Sequence, residues 1–122
     1  MNLNNFTIKS QEAISKAEQI ATSNEQQAIE NGHLLLALLQ TDENVIPFVL
    51  KKVNVKVDQL TSQVTELVNQ YPKVSGGNVY LSQDTASAIS KAQSLLKEFK
   101  DEFVSIEHLL LEIGRASCRE RV

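Results

Sequence analysis

An all-α fold of tandem, pseudo-symmetric four-helix repeats is predicted by three observations. First, the chain repeats itself: Ala13-Ile14-Ser15-Lys16-Ala17 returns as Ala88-Ile89-Ser90-Lys91-Ala92, and His33-Leu34-Leu35-Leu36 returns as His108-Leu109-Leu110-Leu111, both at an offset of 75 residues. Phe6-Thr7 returns at the same offset as Leu81-Ser82, an apolar residue followed by a hydroxyl, and Ile20 falls on Leu95. No gap is needed, and two blocks in one register are hard to obtain by chance. Second, apolar residues recur at helical spacing. Third, the chain is 42% hydrophobic but only 5% aromatic, with no Trp, so its core must be mostly aliphatic. A duplicated unit of this kind points to a binding scaffold whose halves pack together.

The elements follow in order. Thr7 is the expected N-cap of the first helix, which carries Ala13, Ile14, Ala17, Ile20 and Ala21 as an apolar stripe with small residues for close approach. The polar run Thr22 to Gln27 ends it. A second helix runs from about Asn31 to Gln40; it is apolar on nearly all sides and therefore central. A third starts near Asn44, with Pro47 acceptable in its first turn. A fourth starts near Asp58 and presents Leu60, Val64, Leu67 and Val68. Pro72 and Gly76-Gly77 then break the helix and link the repeats. Ser82 caps the fifth helix. The sixth begins at Ser105 or Ile106 and ends near Ile113.

This pattern divides the chain into a first repeat (3–71), a linker (72–80), the first half of a second repeat (81–113) and a tail (114–122), about six helices in all. The tail is foreign in character. All three Arg and the single Cys lie within the last eight residues, whereas the preceding 114 use nine Lys and no Arg. It reads as a non-native extension, outside functional reasoning. Equivalents of the third and fourth helices are missing from the second repeat. Leu95, Leu96, Phe99 and several of Leu109 to Ile113 are therefore expected to be exposed or to pack on the tail.

The composition also excludes functions. A formal charge of −3 argues against nucleic acid or anionic membrane as partners. No segment is long and apolar enough to be a signal peptide or a membrane span. One Cys permits no internal disulfide, which makes a reducing cytoplasm the natural setting. Gly76-Gly77 lacks the Lys-Ser/Thr of a nucleotide-binding loop, so no cofactor and no ATP hydrolysis are expected of this stretch. His33 and His108 invite a metal or acid–base reading, that is, a small helical enzyme. Yet each opens a Leu-rich helix, and no further ligand stands at metal spacing. A His repeated at equivalent positions is more simply a packing or capping residue. Cys118 has no positioned base nearby that would make it a nucleophile.

Phe6-Thr7, the Ala-rich helix, His33 to Leu39, and Phe103-Val104-Ser105-Ile106-Glu107-His108-Leu109-Leu110-Leu111 together resemble the N-terminal domain of Clp AAA+ unfoldases. The linker Tyr71 to Gly77 and Leu81-Ser82-Gln83-Asp84 resemble the ClpB disaggregases more than ClpA or ClpC. The resemblance covers residues 3 to about 113. It implies a domain that recognises unfolded or aggregated protein segments, or docks adaptor proteins, for ATPase modules working as a hexamer. It carries a substrate-handling role onto Thr7, Asp101 and Glu107, whose acidic members beside an apolar groove would favour basic-apolar segments. A ClpC- or ClpA-like domain that docks adaptors for a protease is the neighbouring alternative. No metal is implied, because the ligands some ClpA relatives use are not matched here.

Overall fold

Thr7 opens α1 (Ile8–Ser23) in extended conformation, and its hydroxyl accepts from the Ser10 amide at 3.2 Å. This satisfies one of the amides that a helix start leaves unpaired. The computed structural model describes residues 3–74, 76–99 and 103–120 of the chain. Along α1, Ser10, Ala13, Ala17 and Ala21 are buried, so the face in contact is one of small side chains. α2 (Asn31–Thr41) lies against it and against α4 (Val57–Gln70) and α6 (Ile106–Glu120). It buries both sides, as its all-round apolar sequence requires. α3 (Val45–Lys52) is short; the buried Asp42 carboxylate accepts from the Asn44 and Ile46 amides at its start. α5 (Gln83–Phe99) packs on α6. Ser82 caps α5 through the Thr85 amide at 3.2 Å, the repeat-related copy of the Thr7 cap.

Sequence reading did not foresee the seam between the halves. β1 (Ala28–Ile29) and β2 (Tyr80–Leu81) pair in parallel, with Ile29 opposite Leu81. An isolated parallel bridge joins Phe6 to Val104. The two are one contact used twice. Moving Phe6 forward by the 75-residue offset gives Leu81, and moving Val104 back gives Ile29. The hydrogen bonds obey the same exchange: Thr7 N–H donates to Val104 O at 2.9 Å, and Ser82 N–H donates to Ile29 O at 3.0 Å. The residue before α1 or α5 thus reaches across to the residue two places before the other repeat's central helix, α6 or α2. The duplication is a true pseudo-twofold in space.

Two sequence expectations are corrected. The sixth helix does not end near Ile113 but continues to Glu120. A lone Gly114 costs a helix only about 1 kcal/mol, and nothing like Pro follows to stop it. Further, Leu95, Leu109 and Ile113 are not exposed but buried in the shared core, together with Ala13, Ala17, Leu34, Ala37 and Leu38. These side chains face the first repeat rather than the place of further helices. Leu96 is partly buried, and the side chain of Phe99 lies outside the described residues. Among the described residues of this set, Leu111 is the exposed one: it is 40% exposed, whereas its counterpart Leu36 is 5% exposed under Val64 and Val68 of α4.

Candidate functional site

The helix starts at the seam place the candidate residues. The paired histidines are part of its framework. His33 Nδ1 accepts from the Glu30 amide at 2.9 Å, and His108 Nδ1 accepts from the Ser105 amide at 2.9 Å. Each is the third residue of its helix and caps backward, which explains why the residue is repeated. The His33 proton must then sit on Nε2, which donates to Gln26 Oε1 at 2.6 Å. Gln26 in turn donates from Nε2 to Val68 O at 2.5 Å, closing the C-terminal end of α4. Burial depresses the His33 pKa to about 4, and a second ring proton would confront the Glu30 N–H. His33 is a neutral structural group. Among the described residues, no group of three His, Cys, Asp or Glu side chains gathers that could hold a metal ion.

Thr7 sits on the first seam, half-buried. Its backbone N–H is bonded to Val104 O, and its hydroxyl both accepts from Ser10 N–H and donates to Ser10 Oγ at 2.9 Å. Ser10 Oγ passes the chain on to Val104 O at 2.8 Å. Glu107 is exposed in the first turn of α6, three residues beyond Val104. Residues 5–7 and 103–107 therefore share one edge of the molecule. Asp101 lies outside the described residues. Because its hydroxyl is a cap, Thr7→Ala should lower stability by about 1 kcal/mol with the helix content kept, as thermal melting followed by circular dichroism would register.

Two residues of this edge escaped the sequence reading. Ile8 is 76% exposed and Phe103 51% exposed. Ile8 could have been noticed, since it stands off the stripe formed by Ala13, Ala17 and Ala21. Phe103 could not, because an aromatic before a helix is as often core as surface. The repeat-related edge is built differently. There Gln83 stands for Ile8, Ala28 for Phe103 and Gly32 for Glu107. Gly32 is buried beneath Tyr71: a Cβ added to it would come within 2.5 Å of the Tyr71 hydroxyl. Backbone symmetry is kept at the two edges, and surface chemistry is not. One edge exposes Ile8 and Phe103 beside Glu107; the other has Tyr71 over Gly32 and exposes Tyr80 and Gln83.

Residues 5–119 match the family described as the Clp repeat (R) N-terminal domain. The chain belongs to that family. Among curated relatives, the chaperone protein ClpB of Bacteroides thetaiotaomicron is 44% identical over 113 residues, covering 93% of this chain and 13% of the relative. The chaperone protein ClpB of Porphyromonas gingivalis is 38% identical over 118 residues, covering 97% and 14%. The chain thus spans about one seventh of the length of these chaperones. In fold it is similar to the Hsp104 N-terminal domain from Candida albicans, with a TM-score of 0.86 at 18% identity, covering 97% of this chain and 79% of that one. It is also similar to the N-terminal domain of the ClpV1 ATPase from E. coli, with a TM-score of 0.83 at 17% identity, covering 93% and 69%. These Clp N-domains share the helical architecture described above. No helix among the described residues is long and apolar enough to cross a membrane.

Proposed function

We propose that this domain captures exposed segments of unfolded or aggregated cytoplasmic proteins for a ClpB-type disaggregase and hands them to the ATP-driven pore of the parent hexamer. The observation that carries the reading is the contrast between the two edges. Ile8 and Phe103 leave an apolar surface beside Glu107, whereas the symmetry-related surface has Gln83, Ala28 and Gly32 at those positions, with Tyr71 over Gly32 and Tyr80 exposed on the paired strand. Large apolar side chains exposed side by side, rimmed by charge, mark protein-interaction sites. Asp101, two residues before Phe103 in the sequence, is the second acidic residue proposed to act with Glu107. A segment with apolar side chains would lie on Ile8 and Phe103, and basic side chains would meet the carboxylates. Thr7 orders the edge through its cap. Capture is weak, since a feeder must release its client, and affinity among related complexes is set mainly by the off-rate. The domain itself performs binding and no chemistry.

The test is a pair of double variants measured against an unfolded basic-apolar client. Asp101→Ala with Glu107→Ala should stay folded, because surface charge changes alter stability by about 0.5 kcal/mol, with about 0.3–1 kcal/mol more for a lost helix-dipole contact. Its client affinity should fall about five- to tenfold, on the order of 1 kcal/mol, and wild-type binding should weaken as salt rises. Ile8→Ser with Phe103→Ser should weaken binding without changing its salt dependence. Full binding by both folded double variants would place the client elsewhere on the domain.

A further inference from the structure

Residues 45–57 differ in charge from the rest of the chain. They hold Lys51, Lys52 and Lys56 and no acidic residue, in a protein of formal charge −3. α3 turns Ile46 and Leu50 into the core. Its other side leaves Val45 and Phe48 in solvent, followed by Val53; Phe48 is 60% exposed and Val53 62% exposed. Lys52 Nζ stands 5.0 Å from the centroid of the Phe48 ring, so the aromatic face already holds a cation. Asn54, at φ 62°, turns the chain in the left-handed region that Asn tolerates. The turn brings Lys56 to the start of α4, beside a cleft of about 260 Å3 bordered by Asn54, Val55, Gln59 and Leu60. The nearest acidic side chains exposed along the chain are Glu43 and Asp58, one at either end of the stretch.

We propose that this face docks a second class of partner: a protein segment carrying acidic side chains beside one or two apolar ones. The apolar side chains would cover Phe48 and Val53, and the carboxylates would meet Lys51, Lys52 and Lys56. Charge selects the occupant. Three lysines without a carboxylate between them repel basic-apolar segments and attract acidic ones. A nucleic acid is the weaker fit, because its affinity scales with the number of phosphates neutralised and the remainder of the domain is acidic. The proposal does not rest on the client edge at α1 and α6. It makes the domain two-sided, with oppositely charged apolar surfaces for different partners.

The experiment is an amide NMR titration of the whole chain with three synthetic peptides that share apolar positions and differ in having Asp/Glu, Gln or Lys between them. The acidic peptide should shift residues 45–57 saturably, and binding should weaken with salt. Phe48→Ala combined with Lys52→Glu should reduce that affinity at least tenfold with the helix content kept, at the cost of a small drop in melting temperature from the charge reversed in the last turn of α3. Lys51→Glu with Lys52→Glu, which keeps the ring, should do the same if charge selects. The idea is overturned by no saturable shift in this stretch or by equal binding of the Gln peptide. Tighter binding of a single-stranded oligonucleotide there, or shifts at 45–57 that depend on protein concentration alone, would overturn it too. The Lys peptide reports separately on residues 5–10 and 103–107, so the client edge can fail or stand in the same spectra without affecting this outcome.

Discussion

Leu36→Ala should destabilise the domain by about 2–5 kcal/mol, while Leu111→Ala should cost less than about 1 kcal/mol. The two leucines are repeat partners in the same tetrapeptide, so local sequence predicts equal effects. Their surroundings differ. Leu36 is almost fully buried against Val64 and Val68, with Ile20, Leu35, Leu60 and Tyr71 packed around that cluster. Truncating it removes the transfer energy of its methyl groups and leaves a cavity that two packed helices cannot easily close. Leu111 has no α4-like helix over it among the described residues, so its truncation removes partly solvated surface. Chemical denaturation of both variants and of the parent chain measures the difference directly. Equal losses would mean that something covers α6 in solution as α4 covers α2. A cavity penalty of about 3 kcal/mol corresponds to a drop in melting temperature above about 10 °C for a domain of this size.

His33 should be the most costly single polar residue to remove, and it should make the domain acid-sensitive. His33→Ala deletes the bond to the Glu30 amide, empties a buried ring volume beside Tyr71 and leaves Gln26 Oε1 without its donor. About 3 kcal/mol or more is expected from the cavity and the orphaned buried acceptor together. His108→Ala, which shares the cap but lies nearer the surface, should cost about 1–2 kcal/mol. The pH dependence has a definite sign. The folded-state pKa of His33 is lowered from 6.5 to about 4 by burial. Between those values the unfolded chain binds a proton that the folded chain refuses. The stabilisation is therefore complete above pH 6.5 and is lost as the pH falls from 6.5 towards 4, by up to about 3 kcal/mol. His33→Gln should flatten this slope in denaturation curves taken across that window. An unchanged slope in the folded variant would assign the acid sensitivity to other groups.

The histidines also show what could be read early and why. A lone His beside leucines is ambiguous between ligand, base and cap. Its recurrence after 75 residues, at the start of an identical Leu run, favoured a geometric role, and the Nδ1 bonds to Glu30 and Ser105 supply that role. The caps at Thr7 and Ser82 were legible for the same reason, since a hydroxyl before an amphipathic run carries a local mechanism. Helix ends that depend on a stop signal were less legible. The change of composition at Gly114 suggests an end to α6, but composition is not a helix breaker, and the helix runs to Glu120.

Local chemistry and periodicity were enough for the helical class, the duplication, the caps and the central place of α2, because each rests on contacts within a few residues or on an apolar pattern that admits one solution. Three features depended on residues far apart in the chain. The pairing of Phe6 with Val104 and of Ile29 with Leu81 needs the two halves already docked. The burial of Leu95, Leu109 and Ile113 follows from which side of α5 and α6 meets the first repeat. At the two related edges Tyr71 covers Gly32, while Ile8 and Phe103 stay exposed beside Glu107. An apolar side chain has the same periodicity whether or not a neighbour covers it, and burial is decided by that neighbour. The fold class could therefore be read along the chain, whereas the surfaces available for binding emerged only when the repeats closed on each other.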